Sequence, residues 1–288
     1  MIDAPYAFAE QLEPGIARLL ARNPSPFTYF GTQTYFLGER ELVVVDPGPA
    51  LPEHVDAIIA ALDGRPVAAI ACTHTHRDHS PASRALKDRT GAPIIGCAPL
   101  ALEGIGPRAD ASFDREYSAD VVLQDRQSID FDDGKSLVAV ATPGHTSNHL
   151  CFAFGDALLT GDHVMAWSTT VVVPPDGDMA AYMQSLNLLR ERSDRIFYPA
   201  HGPAVTKPAQ LVRGMIGHRM QRERQILRLL GEKPRDVPDI VANAYPGLDQ
   251  RLVPAAGGSV LAHLVDLQRR GVVDEGEGEI WMMLPRHD

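Results

Sequence analysis

The chain has 288 residues, 44% of them apolar and 22% charged, a balance that excludes a disordered tail or fibrous repeat and suits one large domain plus a small one. Its formal charge of −10 is unevenly spread: residues 203–288 hold 12 Lys/Arg and 11 Asp/Glu, so subtraction from the totals of 27 and 37 leaves 15 against 26, or −11, for residues 1–202. Such a field disfavours a polyanion over most of the larger part, while a locally positive, metal-loaded cleft stays open to one. No stretch approaches the roughly 18 consecutive apolar residues of a membrane span. The start, Met1-Ile2-Asp3-Ala4-Pro5, lacks the basic region and apolar run of a secretory signal. Cys72, Cys97 and Cys151 are odd in number and widely spaced, which argues against a disulfide framework. A cytoplasmic setting without a membrane partner is expected.

Along the chain to about residue 202, short apolar runs alternate with helical stretches. Residues 42–45, 67–72, 93–97, 138–141, 150–154, 157–160 and 195–198 have the length and composition of buried strands. Gly, Pro, Asp or His follows almost every one, marking loops. Met179, Met183, Leu186 and Leu189 recur at helical spacing, and the mixture reads as α/β. A long helix carrying Arg213, Arg219, Arg222, Arg224 and Arg228 is expected from residue 208 to 230, broken at Gly231-Glu232-Lys233-Pro234. Helices over 237–244 and 259–270, then a Gly-rich acidic turn and Ile280-Trp281-Met282-Met283-Leu284, suggest a small winged-helix-like unit. The expected division is a catalytic domain over 1–207 and a basic helix with an α+β winged-helix-like domain over 208–288.

One window carries the chemistry: Thr73-His74-Thr75-His76-Arg77-Asp78-His79, directly after the 67–72 run. Ser80-Pro81 then reads as a helix N-cap and first helical position, so the window is a tight strand-to-helix loop. Residues two apart in an extended loop project to one side, letting His74 and His76 converge on one ion. Asp78 and His79 can face a second. Imidazole with carboxylate suits zinc, with iron or manganese as alternatives. A lone histidine would carry no such weight, but a core has no use for four such groups in one loop, because each unpaired burial costs several kcal/mol. Three more loops put a ligand-type residue beside glycine just past a strand: Thr142-Pro143-Gly144-His145, Gly161-Asp162 and Pro199-Ala200-His201-Gly202.

In this order the set resembles the metallo-β-lactamase superfamily over about residues 15–205. The resemblance implies an αββα sandwich and two divalent ions. His74, His76 and His145 would bind the first ion and Asp78, His79 and His201 the second, with Asp162 bridging; Asp78 and Asp162 then belong to the catalytic machinery. Asp46, in Val45-Asp46-Pro47-Gly48, and His149, in Ser147-Asn148-His149, would orient the ligands rather than bind. Two ions, two carboxylates and a bridging hydroxide leave a net +1 to stabilise an anionic transition state. Of the remaining histidines, His163 should point away from Asp162, and His54, His218, His263 and His287 are expected to be solvated or, for His218 and His263, packed in helices.

Asp162 departs from authentic metallo-β-lactamases, and His76 from flavodiiron oxygen reductases. The nearer likeness is the β-lactamase-like protein 2 branch, which includes an endoribonuclease for single-stranded RNA. It rests on Gly31-Thr32-Gln33-Thr34-Tyr35, His76-Arg77-Asp78-His79-Ser80, Thr142-Pro143-Gly144-His145-Thr146 and the basic helix from Gly217-His218-Arg219. Two substrates follow: single-stranded RNA, its backbone held by Arg213, Arg219, Arg222 and Arg224, or a small acyl compound such as a thioester, lactone or β-lactam, which the acidic larger part favours. A metal oxidoreductase is the third class. A homodimer is compatible with either hydrolase.

Overall fold

The computed structural model describes residues 6–100, 112–132 and 134–285. They form two compact units. The first takes Met1–Thr142, Asn148–Ser168 and Ser193–Pro208; the second takes Pro143–Ser147, Thr169–Arg192 and Ala209–Asp288. No helix among the described residues is long and apolar enough to cross a membrane.

The first unit is built on two sheets. The larger has seven strands in sequence order: β1 (Glu10–Glu13), β2 (Ile16–Leu20), β3 (Gln33–Leu37), β4 (Leu42–Val45), β5 (Val67–Cys72), β6 (Ile94–Gly96) and β7 (Val121–Val122). Pairing is antiparallel from β1 to β4 and parallel from β4 to β7. The parallel part needs crossovers, and α1 (Pro52–Leu62) supplies one and α2 (Ala82–Thr90) the next. Being covered on both faces, β4 and the end of β5 carry continuous apolar residues instead of alternation. The smaller sheet runs β12-β11-β10-β9-β8, from β8 (Ser128–Phe131), β9 (Lys135–Ala141), β10 (Leu150–Phe154), β11 (Ala157–Gly161) and β12 (Ile196–Pro199). Its inner face and that of the larger sheet share one core, with Leu37, Val44 and Ile70 on one side and Leu137, Phe152 and Leu159 on the other. Ile58, Leu62 and Leu86 bring α1 and α2 into it.

The second unit holds α3 (Met179–Arg190), α4 (Pro208–Glu232), α5 (Val237–Ala244), α6 (Val253–Arg269) and a hairpin of β13 (Val273–Glu275) and β14 (Trp281–Met283). Asp178 and Asp236 cap α3 and α5 by accepting from Ala181 N and Asp239 N. Ile226, Leu230, Ile240, Val260, Leu264 and Trp281 close a core of their own. Arg235 ties the hairpin to it, exchanging two backbone hydrogen bonds with Trp281 while its guanidinium pairs with Glu232 and Asp239, 2.7 Å each. Helices ending in a β-hairpin are the winged-helix pattern expected for this end.

Three local expectations fail. Ser80 does not cap α2: its hydroxyl donates to Asp114 Oδ2 at 2.9 Å, a stronger charged acceptor, and the helix begins at Ala82 after Pro81. Helix α6 starts six residues earlier than 259, because Pro254 at the first turn is compatible with a helix start. His54 is not solvated but buried, its Nε2 3.0 Å from Thr34 Oγ1, and burial pushes its imidazole down to about 4. His287 lies outside the described residues.

Candidate metal centre

Strands β5, β11 and β12 end at Cys72, Gly161 and Pro199, and the side chains that follow them meet. After β5, backbone bonds pin the loop: Asp114 N to Thr75 O, Arg77 N to Ser112 O, and Gly48 N to His79 O. Asp46, just past β4, is buried and takes a left-handed φ of 48°, which turns its carboxylate under this loop. It accepts from Thr73 N and Thr73 Oγ1, 2.8 Å each, and from His79 Nδ1 at 3.0 Å. The Thr73 hydroxyl has thus spent its proton on Asp46, so it accepts from His74 Nδ1–H at 2.9 Å. One carboxylate thereby fixes the tautomers of two histidines and leaves the Nε2 of each as the ligand atom. His74 Nε2 faces His76 Nδ1 at 2.9 Å, two nitrogens that can share a proton or an ion.

Two ligand groups result. His74, His76 and Asp162 present atoms within 4.8 Å of one another, as do Asp78, His79 and His201. His201 Nε2 is 3.1 Å from Asp78 Oδ2 and 3.2 Å from Asp162 Oδ1, while its Nδ1 donates to Gly31 O at 3.2 Å. His79 Nε2 lies 3.3 Å from Asp78 Oδ2 and 3.6 Å from Asp162 Oδ1. Yet this buried nitrogen has no hydrogen bond of acceptable geometry. This orphaned nitrogen and an all-His/Asp donor set fit divalent cations. Asp162 reaches both groups, which suits a bridging role.

The electrostatics agree. Burial alone would raise the Asp78 and Asp162 carboxyls, but His79 and His201 outweigh it and hold both well below the usual range. Burial alone would lower His201, but Asp162 and Asp78 push it up to about 10; His79 is driven up against burial by Asp78, Asp162 and Asp46. Buried charges of one sign are balanced by the other, and an arriving cation would take the place of the imidazole protons.

His149 Nε2 accepts from Asp162 N at 3.3 Å, so its Nδ1 carries the proton and donates to Thr142 Oγ1 at 2.9 Å. It therefore holds the backbone that carries Asp162. Gly161 makes this approach possible: at φ 49°, a Cβ there would stand 2.7 Å from His149 Nε2 and 2.9 Å from Thr73 Oγ1. His163 is fully buried, its ring 5.6 Å from that of His149. His145 lies in the five-residue segment grouped with the second unit. Its Nδ1 donates to Val171 O at 2.6 Å, which leaves Nε2 as the acceptor nitrogen. Sequence reasoning missed Thr73, Thr142 and Gly31, which fix ring orientations. A threonine immediately before each of two ligand loops was the available signal.

The basic helix departs from its expected role. Arg219 is buried, its guanidinium bonded to Thr170 O and lying 5.1 Å over the Tyr182 ring. Arg222 bonds Ala244 O at 2.5 Å and stacks 3.7 Å over Tyr245. Both charges are committed within the second unit. Arg213, Arg224 and Arg228 stay exposed.

A model described as the metallo-beta-lactamase superfamily matches residues 28–201, and one described as the beta-lactamase associated winged helix domain matches residues 237–281. The beta-lactamase-like protein 2 homolog of Caenorhabditis elegans is 30% identical over 272 residues, covering 92% of this chain and 88% of that protein. The atrochrysone carboxyl ACP thioesterase of Aspergillus chevalieri is 31% identical over 241 residues, covering 79% and 70%. Among solved structures, a beta-lactamase domain protein from Burkholderia ambifaria superposes with a TM-score of 0.80 at 19% identity, covering 98% of this chain and 96% of that one.

Proposed function

The chain belongs to the metallo-β-lactamase superfamily and is a metal-dependent hydrolase, and from that premise we propose that it cleaves an acyl thioester with two divalent ions, zinc by first choice. His74, His76 and His145 would hold one ion and Asp78, His79 and His201 the other, with Asp162 between them. Pro143–Ser147 is short and flanked on both sides by first-unit residues, which supports including His145. When bound, the ions lower the pKa of a water to around 7 and supply positive charge for an oxyanion. The chain's own part is orientation. Asp46 fixes His74 (through Thr73) and His79, Gly31 fixes His201, and His149 fixes the backbone of Asp162. In the net reaction water oxygen adds to the thioester carbonyl carbon, the C–S bond breaks, and the thiolate leaves with a proton.

One observation carries the choice of acyl over RNA: of the residues expected to grip a phosphate backbone, Arg219 is buried and Arg222 half-buried, their guanidiniums bonded to Thr170 O and Ala244 O within the second unit. The −11 balance of residues 1–202 weighs the same way. Relatives named as thioesterases, 26–31% identical over most of this chain, add support. RNA cleavage is the second reading, favoured by the exposed Arg213, Arg224 and Arg228.

The test is zinc-loaded protein against a panel of acyl-CoA, S-lactoylglutathione, nitrocefin and labelled single-stranded RNA, with a chelator and Asp162→Ala as controls. Chelator-sensitive thioester turnover with intact RNA is the expected result. Metal-dependent RNA cleavage without thioester turnover would overturn it.

A further inference from the structure

Outside the ligand groups, but joined to the His201 loop through Gly31 and Gly202, stands a cluster of aromatic rings, Tyr29, Phe30 and Trp167. Phe27 and Tyr29, two large rings presented by one loop, are 46% and 39% exposed. The loop that presents them is closed by its own hydrogen bonds. Ser25 Oγ accepts from Phe27 N and Thr28 N at 3.0 and 3.1 Å, and Thr28 Oγ1 donates to Asn23 O at 2.6 Å. Tyr29 is held at φ 59°, a left-handed conformation rare for an aromatic residue. It places the ring 5.1 Å from that of Trp167 and 4.1 Å from Phe30, tilted against both. Trp167 in turn rests on Gly202, where a Cβ would be 2.4 Å from indole Cδ1.

Both ends of this cluster are tied to the metal centre. Gly31, two residues past Tyr29, accepts from His201 Nδ1. Gly202, under Trp167, is the residue after His201, and Trp167 itself follows Asp162 by five residues. Tyr29 and Trp167 are therefore joined to the backbone around His201 from two sides, while neither is needed to hold an ion.

We infer that Tyr29 and Trp167, extended by the exposed Phe27 of the same loop as Tyr29, form an aromatic platform that receives a flat, apolar acyl group, setting the enzyme's preference for aryl over short acyl thioesters. This rests on the acyl-hydrolase reading. Exposed rings also stack on nucleobases, but a base arrives with a phosphate backbone, and the acidic charge of residues 1–202 opposes it. An uncharged aryl group meets no such penalty and gains ring–ring contact.

The experiment compares zinc-loaded wild type, Tyr29→Asn, Tyr29→Phe, Phe27→Ala and Trp167→Phe on phenylacetyl- and acetyl-CoA, with calorimetric binding of the non-hydrolysable thioether analogue of each. Asn tolerates the left-handed backbone, so folding is preserved at position 29. Wild type should prefer the aryl substrate through KM. Tyr29→Asn and Phe27→Ala should each cut the aryl-to-acetyl ratio of kcat/KM by about tenfold, mostly in KM, with Tyr29→Phe near wild type. Thioester turnover with no aryl preference, or with a preference these variants leave unchanged, would overturn the platform and spare the acyl-hydrolase reading. Absence of all thioester turnover would overturn that reading, and calorimetry then decides the platform alone: no aryl binding, or binding indifferent to Tyr29→Asn, removes it. Single-stranded RNA bound through Tyr29 in preference to the aryl analogue would also overturn it.

Discussion

At the scale of single residues, the orienting groups are as informative as the ligands. Asp46 is an acceptor three times over, so Asp46→Asn puts an N–H₂ against donors. The substitution should leave the fold intact and weaken metal affinity about 10–100-fold, measured by chelator competition. His201 gives a pH signature in metal-free protein. Its pKa is raised to about 10, so its contribution to stability is complete below its ordinary value of about 6.5 and is lost as pH rises through 10. The partner carboxylates are depressed, so the same contribution fades as pH falls below about 4. Chelated His201→Gln should therefore be less stable than chelated wild type by an amount that peaks between about pH 4 and 6.5 and shrinks toward pH 10; denaturant titration across that range checks it. A constant difference would mean that the carboxylate–imidazole charges do not stabilise the metal-free fold.

At the scale of elements, strand ends place the chemistry. Strand β5 delivers the His74–His79 loop, β11 delivers Asp162 and β12 delivers His201. The turn after β11 tolerates only a residue without a side chain, since a Cβ on Gly161 would press on His149 Nε2 and Thr73 Oγ1. Gly161→Ala should cost about 1–3 kcal/mol and lower metal content, because His149 and Asp162 cannot keep their hydrogen bond. Urea unfolding and metal analysis of the purified variant measure both. Normal stability with full metal content would show that this turn can relax.

At the scale of the molecule, two cores stabilise two units, and their failures should be separable. Trp281 is nearly fully buried in the second unit's core. Trp281→Ala should destabilise that unit by about 3–5 kcal/mol, seen as earlier loss of the amide protection of α5 and α6 in hydrogen exchange. Metal should act instead through the ligand loops that follow β5, β11 and β12. Saturating zinc at about 1,000 times its Kd should add about 4 kcal/mol, and removal by chelator should lower the melting temperature reversibly. An unchanged melting temperature after complete removal would argue that the ligand groups bind no ion that matters to the fold.

Much of this was legible in the chain alone. The strands at 42–45, 67–72 and 150–154, helix 179–190 and helix 237–244 were read with their observed bounds, because buried elements must be apolar and their ends must break. The ligand loops were legible for a related reason: clustered His and Asp past a strand end are too costly to bury for any purpose but binding. What only the tertiary structure decided was where the bifunctional side chains turn. An arginine can be solvated or can bury its charge over a ring against a carbonyl, and Arg219 and Arg222 took the second course. Histidine at position 54 could be wet or enclosed, and the Thr34 hydroxyl made enclosure affordable. The platform of Phe27, Tyr29 and Trp167 was likewise invisible, since residues 138 positions apart become neighbours only when Gly31 and Gly202 converge on the same histidine. Burial cost is a local property of residue type, whereas the partner that offsets it is supplied by distant parts of the chain.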